Sequence, residues 1–486
     1  MHSPVQAEAR LNSTLRRADW RFLLRQAEEP GDADLIALQR PGRAELRRAH
    51  TALRPGGEVR CEWRLPLPGG TRRARRALER AGFEDVRLHW SWPPTRRSAP
   101  QFWLPLGVPA ATRHLFRLRP AANRGQAAAR RLWRLGAAIG ALAPLSAVAR
   151  KPGGTAAAGN EEIEVLLDRL SGTAAAPRAW LLLTGGQRSI NKVVGLPFSP
   201  GDRPPGFVVK FARVPAAEDG LRREAAALET IAAEHPALSG VPRLLASGRR
   251  AGRLAVAETA IHGRPLLDRL DPESFPEFAS AVTEWLLRLA TKTAAQPRDA
   301  WWGRLAQQPL EDFERDFGPA GGAKAAARAR ALLRRLPELP LVCEHRDCSP
   351  WNIVLTGDGQ PALLDWESAE PRGLPGLDLV YFLANAAFVL DGALESGRTH
   401  EAYARLLDPA TPSGEVFANC TRRYCEGLGL GTDTLVRLRL LCWLVHCRSD
   451  YRHFEMDVGM QPDPEALRGG LYLGLLQEDL GRLENA

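Results

Sequence analysis

The chain has 486 residues, too long for one ordinary core, so two or three domains are expected. Its apolar fraction of 44% and charged fraction of 25% are those of a soluble globular protein, and no stretch reaches the ~18 uninterrupted apolar residues of a membrane helix. The formal net charge of +10 hides a polarity: residues 1–150 hold 28 Arg and Lys against 12 Asp and Glu, whereas residues 331–486 hold 14 against 23.

The N-terminus, MHSPVQAEARLNSTLRRADW, lacks the basic-then-apolar layout of a secretory signal, so a cytoplasmic location is expected. DLIALQ (34–39) then reads as a buried strand and GRAELRRAHTAL (42–53) as a helix. The turn RPGG (54–57) leads to a strand at 58–67, and a basic helix at 71–82 leads to another strand at 85–92. This alternation predicts an α/β domain over 1–150. Gly-rich KPGGTAAAGN (151–160) is the best linker, placed at 151–165. Strand-like segments follow at 180–184 and 207–212, then a helix over 218–234 and a strand at 253–258. Beyond Asp271 helices are predicted at 272–294, 323–336, 376–390, 413–427, 431–448 and 463–483, interrupted by one hairpin at 353–364.

Seven cysteines, an odd number, make no disulfide framework. Cys420/Cys425 and Cys442/Cys447 are each five apart in helical text, which turns the two thiols away from one another, so they read as buried thiols rather than zinc ligands. The arginine-rich helix 71–82 reads as a solvated face or a surface for a protein partner. Nucleic acid has only charge in its favour.

The chemistry is concentrated in LVCEHRDCSPWNIVLTGDGQPALLDWE, residues 341–367. Pro350 keeps the loop between Asp347 and Asn352 from becoming helix. Strand 353–355, the turn around Asp358-Gly359 and the returning strand 362–364 form a hairpin, which is expected to place Asn352 and Asp365 side by side at its open end. Two such oxygen ligands suit Mg²⁺, and Asp347 on the same loop would face an attacking hydroxyl. Upstream, FVVKF (207–211) carries Lys210, one of only five lysines among 66 basic residues. Glu224 lies on the apolar stripe Leu221, Ala225, Leu228, Ile231 of the next helix, where a carboxylate needs a cation; Lys210 is the expected partner. A lysine at a strand end reaching water is the alternative.

His345-x-Asp347-x-x-x-x-Asn352, the hairpin and an aspartate opening D-W-E together resemble the catalytic loop of the aminoglycoside phosphotransferase and choline kinase group, distant relatives of protein kinases. The resemblance covers roughly residues 180–450 and is strongest at 343–382. It implies an α+β two-lobed protein-kinase-like domain, with a small β-rich N-lobe (166–262) and a large helical C-lobe (263–486). ATP and Mg²⁺ are the implied cofactors and a small-molecule hydroxyl the acceptor. Asp347 would be the catalytic base or hydroxyl orienter, Asn352 and Asp365 the magnesium ligands, and His345 a support of the loop. Gly185, Gly186 and Ser189 fall where a loop over the ATP phosphates belongs, with Asn191 and Lys192 as contributors, although any hairpin could use two glycines. Backbone groups from Glu258 to Ala260 would meet adenine. GLPGLDLVYF (373–382) resembles the group's segment whose aspartate braces the loop, which assigns that role to Asp378; capping the next helix is a compatible role.

HTALRPGGEVRCEWRLP (50–66) and RRALERAGFEDVRLHW (75–90) resemble the C-terminal half of class I S-adenosylmethionine-dependent methyltransferases, a partial Rossmann-like domain. The Gly-rich cofactor turn of that family is absent before Asp34. The leading reading is therefore an ATP- and Mg²⁺-dependent small-molecule kinase. A non-catalytic ATP-binding scaffold and a bifunctional kinase–methyltransferase are the alternatives; the intact Asp347 argues against the first. The acceptor stays open among aminoglycosides, choline-like amines, sugars, amino-acid derivatives and lipid-linked glycans. Asp391, Glu395, Asp450, Glu455 and Asp457 are candidates to bind it.

Overall fold

The computed structural model describes residues 34–64, 68–92, 101–118, 124–142, 145–153, 179–184, 192–198, 204–250, 252–296, 301–458 and 463–484. They divide into a first unit, up to Leu221 with Leu244–Ala260, and a second unit, Arg222–Arg243 with Ile261 onward.

The first unit is built on one ten-stranded sheet. Its strands are β1 (Leu35–Gln39), β2 (Glu58–Trp63), β3 (Glu84–Trp92), β4 (Phe102–Pro105), β5 (Leu145–Arg150), β6 (Ala179–Leu183), β7 (Val193–Phe198), β8 (Phe207–Phe211), β9 (Leu244–Arg250) and β10 (Arg253–Thr259). Their spatial order is β1-β2-β5-β3-β4-β6-β7-β8-β10-β9. Only β1–β2 is parallel among these pairings. The expected linker region therefore does not separate two sheets: β4 pairs with β3 on one side and β6 on the other.

Helices α1 (Arg43–Ala52) and α2 (Gly70–Arg80) put Leu46, Ala49, Ala74 and Leu78 against Val59, Cys61, Val86, Leu88 and Ala147. Helix α3 (Pro109–Leu118) adds Ala111 and Leu115 against Trp90, Leu104, Leu181 and Phe198. The strand period of two puts Trp103, Trp180, Leu182, Val209 and Phe211 in a separate cluster. Helix α4 (Arg124–Ala138) ends at Gly140, whose φ of +66° is a left-handed cap. That break splits the apolar run 135–149, so β5 begins where the sequence alone reads as more of one apolar segment.

Helix α5 (Glu218–Glu234) contains the division between the units. The second unit is mainly helical, with α6 (Phe275–Thr293), α7 (Leu377–Leu390), α8 (Thr432–Val458) and α9 (Leu471–Glu484) as its longer labelled members. From Leu377 to Phe388 every residue of α7 is buried, so it is an interior helix rather than an amphipathic surface one. More β-structure interrupts the helices than one hairpin. β11 (Gly263–Pro265) adds to the hairpin of β13 (Ile353–Thr356) and β14 (Pro361–Leu363), and β12 (Val342–Glu344) pairs with β15 (Glu370–Gly373). Gly240, at φ +83°, docks this hairpin by accepting the Leu363 N–H at 2.9 Å, and a side chain there would collide with Trp285 and the Pro361 carbonyl.

Because β4 connects the two halves of the sheet, damage there is expected to unsettle both. Trp103 is fully buried, and Trp103→Ala is expected to cost about 3–5 kcal/mol. Thermal denaturation of the full chain checks this; an unchanged midpoint would show that β4 carries little of the unit's stability.

Candidate active site

In the first unit, Lys210 is buried, and its ammonium lies 3.0 Å from Glu258 Oε1. The register explains the pairing: Lys210 sits opposite Val256, so Glu258, two residues on, shares its face diagonally across the β8–β10 ladder. Sequence reasoning gave Glu258 only a backbone role and missed this ion pair, because it appears only once the strand register is known. The Ala260 N–H donates to the Gly206 carbonyl at 3.0 Å, so that donor is already used within the protein and does not await an adenine ring. Lys192 is buried beside the start of β7. Gly185, Gly186, Ser189 and Asn191 lie outside the described residues.

In the second unit, β12 delivers the loop that begins at His345. Asp378, in the first turn of α7, takes the His345 N–H on one carboxylate oxygen at 2.7 Å and the Arg346 N–H on the other at 2.8 Å. Arg346 adopts φ +62°, in the left-handed region that is costly for a side-chain-bearing residue, and this two-point grip helps hold it there. The fully buried His345 ring lies 2.9 Å from the Leu364 carbonyl through Nε2, while Nδ1 takes the Asp347 N–H at 3.3 Å. Donation through Nε2 and acceptance through Nδ1 fit one neutral tautomer, and burial above all lowers the ring's pKa in the same direction. The imidazole thus ties the Asp347 loop to the hairpin strand that precedes Asp365.

Asn352 bonds back to the loop. Its Nδ2 donates to the Asp347 carbonyl at 3.0 Å and to Asp347 Oδ2 at 2.8 Å, which fixes that carboxylate and leaves Asn352 Oδ1 as the amide's remaining acceptor. The hairpin register differs from expectation by one residue. Ile353 faces Leu363, and the Leu364 N–H donates to the Asn352 carbonyl, so Asn352 stands across from Leu364 and Asp365 follows diagonally. Asp365 has φ +69°, and this left-handed residue turns the chain out of the strand direction. The next amide, of Trp366, is held at 2.9 Å by Glu224, a carboxylate with no exposure. Glu224 therefore fixes the segment leaving Asp365, a contact the helical stripe did not reveal.

Two tyrosines missed in the sequence lie near Asp347. The Tyr381 and Tyr472 hydroxyls are 3.1 Å apart, and the Tyr381 ring stacks on His446 at 3.7 Å. Burial raises both phenol pKa values, and the negative charge of Asp347 reaches both; Asp450 also acts on Tyr472. Burial lowers His446 to about 3, which keeps the stacked ring neutral. Of the other acceptor candidates, Asp391 pairs with Arg405 at 2.6 Å, Glu395 is exposed, and Glu455 lines a separate cavity of about 450 Å³ with Arg315 and Tyr451. The side chain of Asp457 lies outside the described residues. All seven cysteines are unpaired and buried. Among the described residues no group of three or more His, Cys, Asp or Glu forms a metal cluster, and no helix is long and apolar enough to cross a membrane.

Residues 199–413 match the model of the phosphotransferase enzyme family. No curated protein matches the chain. Among solved structures, the chain is similar to an aminoglycoside phosphotransferase from Streptomyces rimosus in complex with ADP and streptomycin, with 16% identity, a TM-score of 0.37 and coverage of 58% of this chain and 97% of that one. The aminoglycoside phosphotransferase APH(4)-Ia gives 16% identity and a TM-score of 0.42, over 65% of this chain and 97% of that one. A choline/ethanolamine kinase family protein from Mesorhizobium loti gives 16% and 0.37, over 65% and 94%. The matched segment takes in strands β8 to β10 and helices α5 to α7.

Glu344 gives this site a measurable pH signature. It is fully buried against Gly373, where a side chain would collide with its carboxylate, and desolvation chiefly raises its pKa from 4.5 to about 7, opposed by Arg346 at 3.1 Å. A raised carboxyl pKa means that the folded state binds the proton more tightly. Its contribution is therefore full below about pH 4.5 and is lost as pH rises through about 7, with a magnitude of roughly 3 kcal/mol. Glu344→Gln is expected to flatten the stability profile over that interval. Chemical denaturation at several pH values tests it, and a Gln variant with the wild-type slope would refute the assignment.

Proposed function

We propose that the chain is an ATP- and Mg²⁺-dependent kinase that phosphorylates a hydroxyl of a small molecule. The observation that carries this reading is the Asp347 loop. A potential base is held through its own amide by His345 and through its carboxylate by Asn352, on a backbone braced by Asp378. Phosphoryl transfer asks little covalent work of a protein and depends on such positioning.

Asp347 orients the acceptor hydroxyl and accepts its proton. Lys210, paired with Glu258, positions the α- and β-phosphates, and Glu224 fixes the backbone after Asp365. Asn352 and Asp365 would hold magnesium. Their fit rests on chemistry: both offer hard oxygen donors, and the Asn352 amide has its nitrogen engaged and its oxygen left over. The bound ion would supply charge neutralisation on the phosphates. The negative charges of Asp347 and Asp450 both reach the Tyr472 phenol, so the surroundings of Asp347 favour positive charge on the acceptor. This supports an alcohol that also carries an amine.

The test is ADP release with a panel of amino alcohols and neutral sugars as acceptors. Asp347→Asn is expected to lower turnover about 10²–10⁴-fold, with wild-type thermal stability. Asp365→Ala is expected to abolish it by removing a magnesium ligand. Unchanged turnover in both variants would end the proposal, and a preference for neutral sugars would end the amine assignment.

A further inference from the structure

Helix α4 has a face that no part of the proposed kinase chemistry uses. Its inner side is fixed: Trp133 lies 5.2 Å, ring to ring, from both Trp90 and Phe116. Its end is tied to α2 by the Gly69 N–H on the Ile139 carbonyl and the Thr71 N–H on the Gly140 carbonyl. The opposite side carries Leu132, Leu135 and Ile139, exposed by 71%, 59% and 49%. Spacings of three and four put these aliphatic side chains in one row. Trp92, 45% exposed, adds an aromatic ring 5.6 Å from that of Trp90, in the same aromatic group as Trp133.

The stretch of chain that carries this row has charge of one sign. Between Asp85 and Glu161 there is no acidic residue, against twelve Arg and Lys. Arg113 and Arg117 on α3 and Arg131 and Arg134 on α4 are exposed. Arg134 also lies over the Phe116 ring at 4.9 Å, which keeps its guanidinium on the helix surface. A rigidly held helix with an open aliphatic row, an exposed tryptophan and arginines has the makeup of helices that lie in a lipid–water interface. Phosphate groups of a nucleic acid would use the arginines, but not Leu132, Leu135 and Ile139. We propose that α4, with α3 and Trp92, docks the first unit onto an anionic lipid surface, with the aliphatic row entering the interface and the arginines meeting lipid phosphates.

Co-sedimentation of the full chain with vesicles tests this directly. Binding is expected to phosphatidylcholine vesicles containing phosphatidylglycerol, to be weak on phosphatidylcholine alone, and to fall with added salt. The triple variant L132S/L135S/I139S changes only exposed positions, so it is expected to keep the wild-type melting midpoint and lose at least about tenfold in partitioning. R131Q/R134Q is expected to weaken anionic binding and its salt dependence. The proposal is overturned by equal binding to neutral and anionic vesicles, or by undiminished binding of the triple variant. It also fails if vesicles are not bound and the face instead binds duplex DNA, an acidic protein, or a second copy detected by sedimentation velocity.

Discussion

The grip of Asp378 on the amides of His345 and Arg346 is the constraint on which the candidate site depends. Neither amide has a place in a helix or strand ladder, and a buried N–H without a partner is costly. One carboxylate satisfies both and helps hold Arg346 in its left-handed conformation. The turn at Arg346 sends the chain on to Asp347, and His345 then links the Asp347 amide to the Leu364 carbonyl. Asn352 completes the arrangement from the hairpin side. The position of the Asp347 carboxylate is thus set by groups that do not react.

Much of this set is legible in the sequence, because its members lie within one short stretch and local chain geometry connects them. Pro350 and the Asp358-Gly359 turn determine a loop and a hairpin with little help from the rest of the molecule. The error of one residue in the Asn352 register has a local cause. Hairpin turn residues leave the closing pair uncertain by one, and each such step moves a side chain to the opposite face. Longer-range pairing is less legible. Buried charges such as Lys210 and Glu224 need partners, and the fold supplies two that the sequence does not announce: the ladder brings Glu258 to the lysine, and Glu224 holds the Trp366 amide. Burial of a charge predicts that a partner exists and says little about which one.

The first unit was the least legible. Its strands at 35–39, 58–63 and 84–92 follow the expected alternation, but the continuous sheet depends on β4, β5 and β7, which the sequence does not announce. β4 is four residues long, and β5 is rich in alanine and serine, residues with little strand preference. Their pairings, rather than their own propensities, place them. The charge polarity was plain, whereas its combination with an open aliphatic row on α4 required the burial of each residue.

The electrostatics around Asp347 lead to a final physical point. His345 feels negative charge from Asp378, Asp365 and Glu224, and the buried thiol of Cys348 feels Asp378 and Asp347. Glu344, next to His345 in the chain, is pushed toward protonation by Asp378 as well as by burial. Among the same groups the Arg346 side chain is tied to Glu344, and burial keeps the His345 ring toward its neutral form. Loop amides on Asp378, the Trp366 amide on Glu224 and the Asn352 amide on Asp347 supply partial positive charge to these carboxylates. Backbone dipoles hold such carboxylates in place without neutralising them.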